Sequence, residues 1–166
     1  MPALKTLLRL KLKKAKRIAV LGVGSDLRAD DAAGMLAADF IQKSFKKKNG
    51  RPTLKVFFGF SAPENVTGEI KKFKPTHIII IDSADMGKKA GAVKLLEPER
   101  IANVSFSTHQ LPLKIMVDYL IISLSCKVII IAIQPKTLKF AGSLSKEVKS
   151  CAKLISNTLA QTLKEL

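Results

Sequence analysis

His77-Ile78-Ile79-Ile80-Ile81-Asp82 decides the fold. Four consecutive isoleucines leave no polar face, so the segment reads as a strand buried on both sides, the condition of a central strand in a parallel sheet. Asp82 ends that strand, and the carboxyl ends of such strands face the crevice in which open α/β sheets hold ligands. Working outward, residues 17–23 and 127–133 are two more short apolar runs of the same kind. Residues 53–60 read as a further strand, and 91–96 as a short one, antiparallel at an edge. Between them lie helical patterns: 31–48, with Ala32, Met35, Leu36, Phe40 and Ile41 at helical spacing; 63–73, opened by Pro63; 111–124; and the amphipathic 145–166. Strands alternating with helices predict a single α/β domain: a mostly parallel, twisted sheet of about five strands with helices on both faces.

The domain is expected over residues 16–166. Residues 1–15 read as a basic extension in front of it. Leu8, Leu10 and Leu12 alternate with basic residues as a strand would, while Leu4, Leu7 and Leu8 have helical spacing, so the pattern leaves both open. That start lacks the uninterrupted apolar core of a signal peptide, and no apolar run reaches the roughly 18 residues of a membrane span. A cytoplasmic monomer is expected. Cys126 and Cys151 form no CxxC or zinc-ribbon spacing and sit in apolar or helical patterns, which predicts buried free thiols and a reducing compartment.

Charge is the unusual property. With 29 basic and 13 acidic residues the formal net charge is +16, a balance that points to a nucleic-acid, membrane-surface or acidic-protein partner or, equally, to the lysine-rich surface of a heat-adapted protein, though without the matching glutamate. With one Tyr, eight Phe and no Trp, a stacking platform for single strands is not expected, and nucleic acid is not the favoured partner.

Three patches carry candidate chemistry. The first is Gly22-Val23-Gly24-Ser25-Asp26-Leu27-Arg28-Ala29-Asp30-Asp31. Its glycine pair suggests a dinucleotide turn, but the third glycine of G-x-G-x-x-G is replaced by Leu27, and two acids sit where a pyrophosphate would lie. A helix cap accounts for one of Asp30 and Asp31 and not readily for both. The second patch is Asp82-Ser83-Ala84-Asp85-Met86-Gly87, in which Asp85 reads equally as a turn residue. The third is Ser107-Thr108-His109-Gln110, a polar turn before a helix; His77, the other histidine, starts the isoleucine strand and carries little functional weight. Two carboxylates and an imidazole delivered to one crevice would make a small metal site. No G-x-S-x-G or H-E-x-x-H motif is present.

Taken together, the chain resembles the hydrogenase maturation proteases, endopeptidases that trim the C-terminal tail of the [NiFe]-hydrogenase large subunit. The likeness runs from about Lys16 to the C-terminal helix. It rests on Gly22-Val23-Gly24 with Asp30-Asp31-Ala32-Ala33-Gly34, Ser61-Ala62-Pro63-Glu64-Asn65, Asp82 to Gly87, Thr108-His109-Gln110-Leu111-Pro112-Leu113, and Gln134-Pro135. The Ser-Ala-Pro-Glu-Asn and Asp-Met-Gly segments are most similar to the branch serving hydrogenase 3-type enzymes. Where the family usually has Asn after the second glycine, this chain has Ser25.

The resemblance implies that Asp31, Asp82 and His109 are both the metal ligands and the catalytic residues. The metal is nickel presented by the substrate, and no organic cofactor is implied. The partner implied is a [NiFe]-hydrogenase large-subunit precursor, cleaved only after nickel insertion; two roles for the metal stay open, polarising the scissile carbonyl or activating water with Asp31 or Asp82 as base, or serving only as the recognition mark. On this view the Lys46-Lys47-Lys48 run docks an acidic face of the precursor. The alternative is a basic α/β module that holds phosphate or nucleic acid through its lysines without protease activity.

Overall fold

A computed structural model describes residues 2–45, 52–106 and 110–166, without the side chains of residues 2, 103 and 110–112. In chain order the elements are α1 (Pro2–Leu12), β1 (Arg17–Val23), α2 (Ala33–Ser44), β2 (Thr53–Phe60), α3 (Thr67–Phe73), β3 (His77–Asp85), β4 (Val93–Leu96), β5 (Ser105–Phe106), α4 (Gln110–Leu124), β6 (Lys127–Ile133) and α5 (Lys146–Lys164). Short 3-10 turns at Ala29–Ala32 and Pro63–Val66 lead into α2 and α3. The sheet order is β2-β1-β3-β6-β4, with β5 paired to the end of β3. β1, β2, β3 and β6 run parallel, and β4 is the antiparallel edge strand beside β6 that the sequence predicts.

The isoleucine run divides two cores by parity, as the period of a strand requires. Ile78 and Ile80 pack against Ile70 of α3 and Leu113, Met116, Val117 and Leu120 of α4. Ile79 and Ile81 face Ala37 and Ile41 of α2 and Val148, Ile155 and Leu159 of α5. β3 runs four residues beyond its apolar stretch because Ala84 and Asp85 pair antiparallel with Phe106 and Ser105. That pairing is non-local and leaves no local signal in residues 82–85. Both cysteines are buried free thiols, and burial pushes Cys151 up to about 12. Among the described residues no helix is long and apolar enough to cross a membrane. Lys46, Lys47 and Lys48 lie outside the described residues.

The N-terminal segment differs from its expected place ahead of the domain. It forms α1, and Leu4, Leu8 and Leu12 enter the same core as α2 and α5, leaving Leu7 and Leu10 exposed. The i, i+4, i+8 stripe wins over the alternating pattern because α5 presents an apolar face for it to cover. Lys5–Glu165 and Lys11–Glu97 ion pairs tie the helix down. Leu8 is fully buried, so Leu8→Ala should cost about 2–5 kcal/mol in urea unfolding. A loss within the noise of the measurement would mean that α1 is an appendage.

At the start of β3, His77 is 3% exposed. Burial pushes its imidazole below the ordinary 6.5, the Lys127 charge adds to this, and the Lys11 backbone carbonyl opposes it. The unfolded chain therefore binds the proton more tightly. This contribution to stability is complete above the unfolded pKa and falls as the pH drops below it towards the folded pKa. The denaturation midpoint should fall between about pH 7.5 and about pH 5.5, and fall less in His77→Gln. Equal falls in both proteins would exclude His77 as the cause.

Candidate active site

Chain order reverses around β1, with β2 on one side and β3 on the other and their crossover helices on opposite faces. Such a switch point opens a crevice at the carboxyl ends of the strands. α2 begins there. A Cβ on Gly34 would lie 2.0 Å from the Ile81 carbonyl oxygen and 2.3 Å from that of Val23. Gly24, at φ +131°, would meet the Asp31 carbonyl oxygen at 1.8 Å. Only glycine admits this approach, so the first turn of α2 is set directly on the backbone of the β1 and β3 ends. The same contact fills the Gly22/Gly24 turn with the chain's own backbone, which leaves no room for a pyrophosphate.

The adjacent acids have opposite environments. Asp30 is fully buried and accepts three backbone N–H bonds, from Lys136 (2.8 Å) and Thr137 (3.2 Å) on Oδ2 and from Ser145 (2.6 Å) on Oδ1. It locks the β1–α2 turn to the loop between β6 and α5. Asp31 is 3% exposed; its Oδ2 accepts the Ser25 N–H at 3.1 Å, while Oδ1 is buried with no hydrogen-bond partner among the described residues. Neither acid caps α2. The contact from position 25 to Asp31 comes from backbone, so it does not depend on the side chain there; the Ser25 Oγ accepts the Leu27 N–H instead.

Asp82 does not end its strand as expected: it is fully buried within β3, paired with Ala132 of β6 three residues before the strand ends at Asp85, and its Oδ1 accepts the Ser83 N–H at 2.7 Å. The 29–32 turn packs against β3, which brings the first two patches to one crevice. Asp85 belongs to a turn: it accepts the Gly87 N–H (3.0 Å) and the Gln134 Nε2 amide (3.1 Å), and these two bonds hold its carboxyl below the usual range. The Gln134 Oε1 also accepts from Met86 (2.7 Å) and Lys88 (3.2 Å). Gln134 therefore clamps the Asp-Met-Gly turn to the end of β6, a positioning role that sequence reasoning missed. The available signal was a polar residue closing the wholly apolar 128–133 run.

His109 lies outside the described residues. Phe106 pairs with Ala84 of β3, and Gln110 is the first residue of α4. Among the described residues no three His, Cys, Asp or Glu side chains form a metal-holding group.

The comparisons decide the family. A hydrogenase maturation protease family model matches residues 36–162. The chain belongs to the hydrogenase maturation protease family. A homologue from Methanocaldococcus jannaschii is 38% identical over 166 residues, covering 98% of each chain, and the hydrogenase 3 maturation protease of Escherichia coli is 31% identical over 84% of this chain and 86% of its own. The solved [NiFe] hydrogenase maturation protease of Thermococcus kodakarensis superposes with a TM-score of 0.84 at 27% identity, covering 95% of this chain and 99% of that one. The chain is thus a peptidase, and its mostly parallel sheet with flanking helices is the family's fold.

The contrast between the two acids is testable. Asp30→Ala strands three N–H groups and should cost about 3 kcal/mol in urea unfolding, whereas Asp31→Asn removes a poorly paired buried charge and should change stability by less than about 1 kcal/mol. Equal losses in the two variants would refute the division of roles.

Proposed function

We propose that this protease removes the C-terminal extension of a [NiFe]-hydrogenase large-subunit precursor after nickel insertion, and that Asp31, Asp82 and His109 meet the inserted nickel. Nickel is here part of the substrate. One observation carries the reading. Asp31 Oδ1 is buried with no donor among the described residues, in the turn packed against β3 near Asp82. A buried carboxylate oxygen without a partner is costly, and a cation brought by the substrate relieves that cost.

The donor chemistry suits the task. Two hard carboxylates and one imidazole bind a divalent ion with open positions and offer no thiolate to compete for nickel. Both thiols of the chain are buried in the hydrophobic cores. The Ser25 N–H fixes Oδ2 of Asp31 and so sets the direction of Oδ1. In the cleavage water adds to the scissile carbonyl carbon, its proton passes to a carboxylate of the pair, and the amine leaves carrying a proton.

Intact-mass analysis of a large-subunit precursor, nickel-loaded and nickel-free, tests the proposal. Loss of a C-terminal peptide from the loaded form alone is expected, with Asp31→Asn, Asp82→Asn and His109→Ala slower by at least about 100-fold. Cleavage of both forms would keep the peptidase and remove the nickel gate. Unimpaired variants would overturn the site assignment.

A further inference from the structure

The amino-terminal end of the sheet, opposite the crevice, carries a second concave site. Arg17 at the start of β1, Lys71 and Lys74 at the end of α3, Thr76 before β3, and Ser123 and Ser125 at the end of α4 line a pocket of about 510 Å3. No carboxylate lines it. Among the described residues the ion-paired cations are Lys5, Lys11, Lys43, Lys114 and Lys136, so Arg17, Lys71 and Lys74 keep their charge unneutralised. Lys71 is oriented by a neutral group, the Tyr119 hydroxyl at 2.7 Å.

The floor is rigid. Thr76 Oγ1 accepts the backbone N–H groups of Lys16 (3.0 Å) and Arg17 (3.2 Å) and donates to the Arg17 carbonyl (3.0 Å). The Lys127 N–H bonds the Thr76 carbonyl at 3.1 Å, joining the starts of β1, β3 and β6. Lysines at the end of α3 would also satisfy its helix dipole. That explanation does not reach Arg17, which lies on a strand, nor the hydroxyls that line the same cavity.

We propose that this pocket binds a phosphate-bearing anion, the di- or triphosphate group of a small molecule. A planar guanidinium, two ammonium groups and the hydroxyls of Ser123 and Ser125 match a tetrahedral oxyanion of charge two or more. The volume is that of a small-ligand site. No aromatic lines it, so it offers no platform on which to stack bases. The site is separate from the proteolytic crevice and does not depend on the proposed substrate.

Calorimetric titration of the full chain with sodium tripolyphosphate at low salt tests this. One-to-one binding is expected, weakened at least about tenfold in Arg17→Gln/Lys74→Asn. Asparagine is chosen because Lys74 has φ +49°, a region asparagine tolerates. The control Lys89→Gln/Lys139→Gln removes the same charge from exposed loops at the other end and should change affinity less than about twofold. Arg17→Gln alone, at an exposed strand start, serves if the double variant melts early. Equal losses in pocket and control variants, or no saturable binding, would overturn the proposal. A 12-residue oligodeoxynucleotide distinguishes the sources. If it binds more tightly than tripolyphosphate and loses the same factor in the pocket variant, the pocket takes nucleic-acid phosphate. If its binding ignores the substitutions while tripolyphosphate loses affinity, the small-molecule assignment stands.

Discussion

The contact on which the site depends is backbone on backbone: the first turn of α2 resting on the carboxyl ends of β1 and β3 at Gly24 and Gly34. A side chain at either position would push the turn away by an ångström or more and carry Asp31 with it. The approach alone does not set the direction of the turn. Asp30 does, by collecting three N–H groups from the loop that follows β6. The geometry of Asp31 is thus held from both sides by groups that take no part in chemistry, and a carboxylate with a buried, unmatched oxygen is kept in place at the expense of folding stability.

Strands buried on both faces were legible because they need no partner to be recognised: the isoleucines of 78–81 and the apolar run of 128–133 carry their environment in their composition. The edge position of β4 was legible for a similar reason, since a short, mixed strand suits an edge. What was not legible depended on partners distant in sequence. The helical face of α1 is selected by α5. The last residues of β3 are strand because β5 pairs with them. Gln134 reveals its role only once the 85–88 turn is beside it. Asp30 and Asp31 show the limit most clearly: adjacent and chemically identical, they differ only in which of them the 136–145 loop reaches.

The large positive charge also becomes intelligible once it is placed on the fold. The described loops that follow the parallel strands hold both signs, Asp26, Asp30, Asp31 and Glu64 with Arg28, Lys88, Lys89, Lys136 and Lys139, and Asp82 and Asp85 lie in the last residues of β3 beside them, while the described connections leading into β1 and β3 contain Lys13, Lys14, Lys16 and Lys74 and no acid. The carboxyl end is therefore close to neutral, its acids offsetting nearby cations, and the excess of positive charge lies elsewhere on the fold.

That distribution decides whether a chain of charge +16 can admit a cation at its crevice. A seven-residue strand such as β1 spans about 23 Å, whereas charges in solution are screened over about 8 Å at physiological ionic strength. Across nearly three screening lengths the lysines of the amino end contribute little to the potential at Asp31 and Asp82. The charges that matter there are local ones, and buried carboxylates are screened less than exposed loop lysines. The converse holds at the other end, where an anion meets unpaired cations and scarcely senses the acids. Separation by the length of the sheet is what the proposed meeting of nickel at one end and of an anion at the other requires. A net charge computed for the whole chain predicts the behaviour of neither.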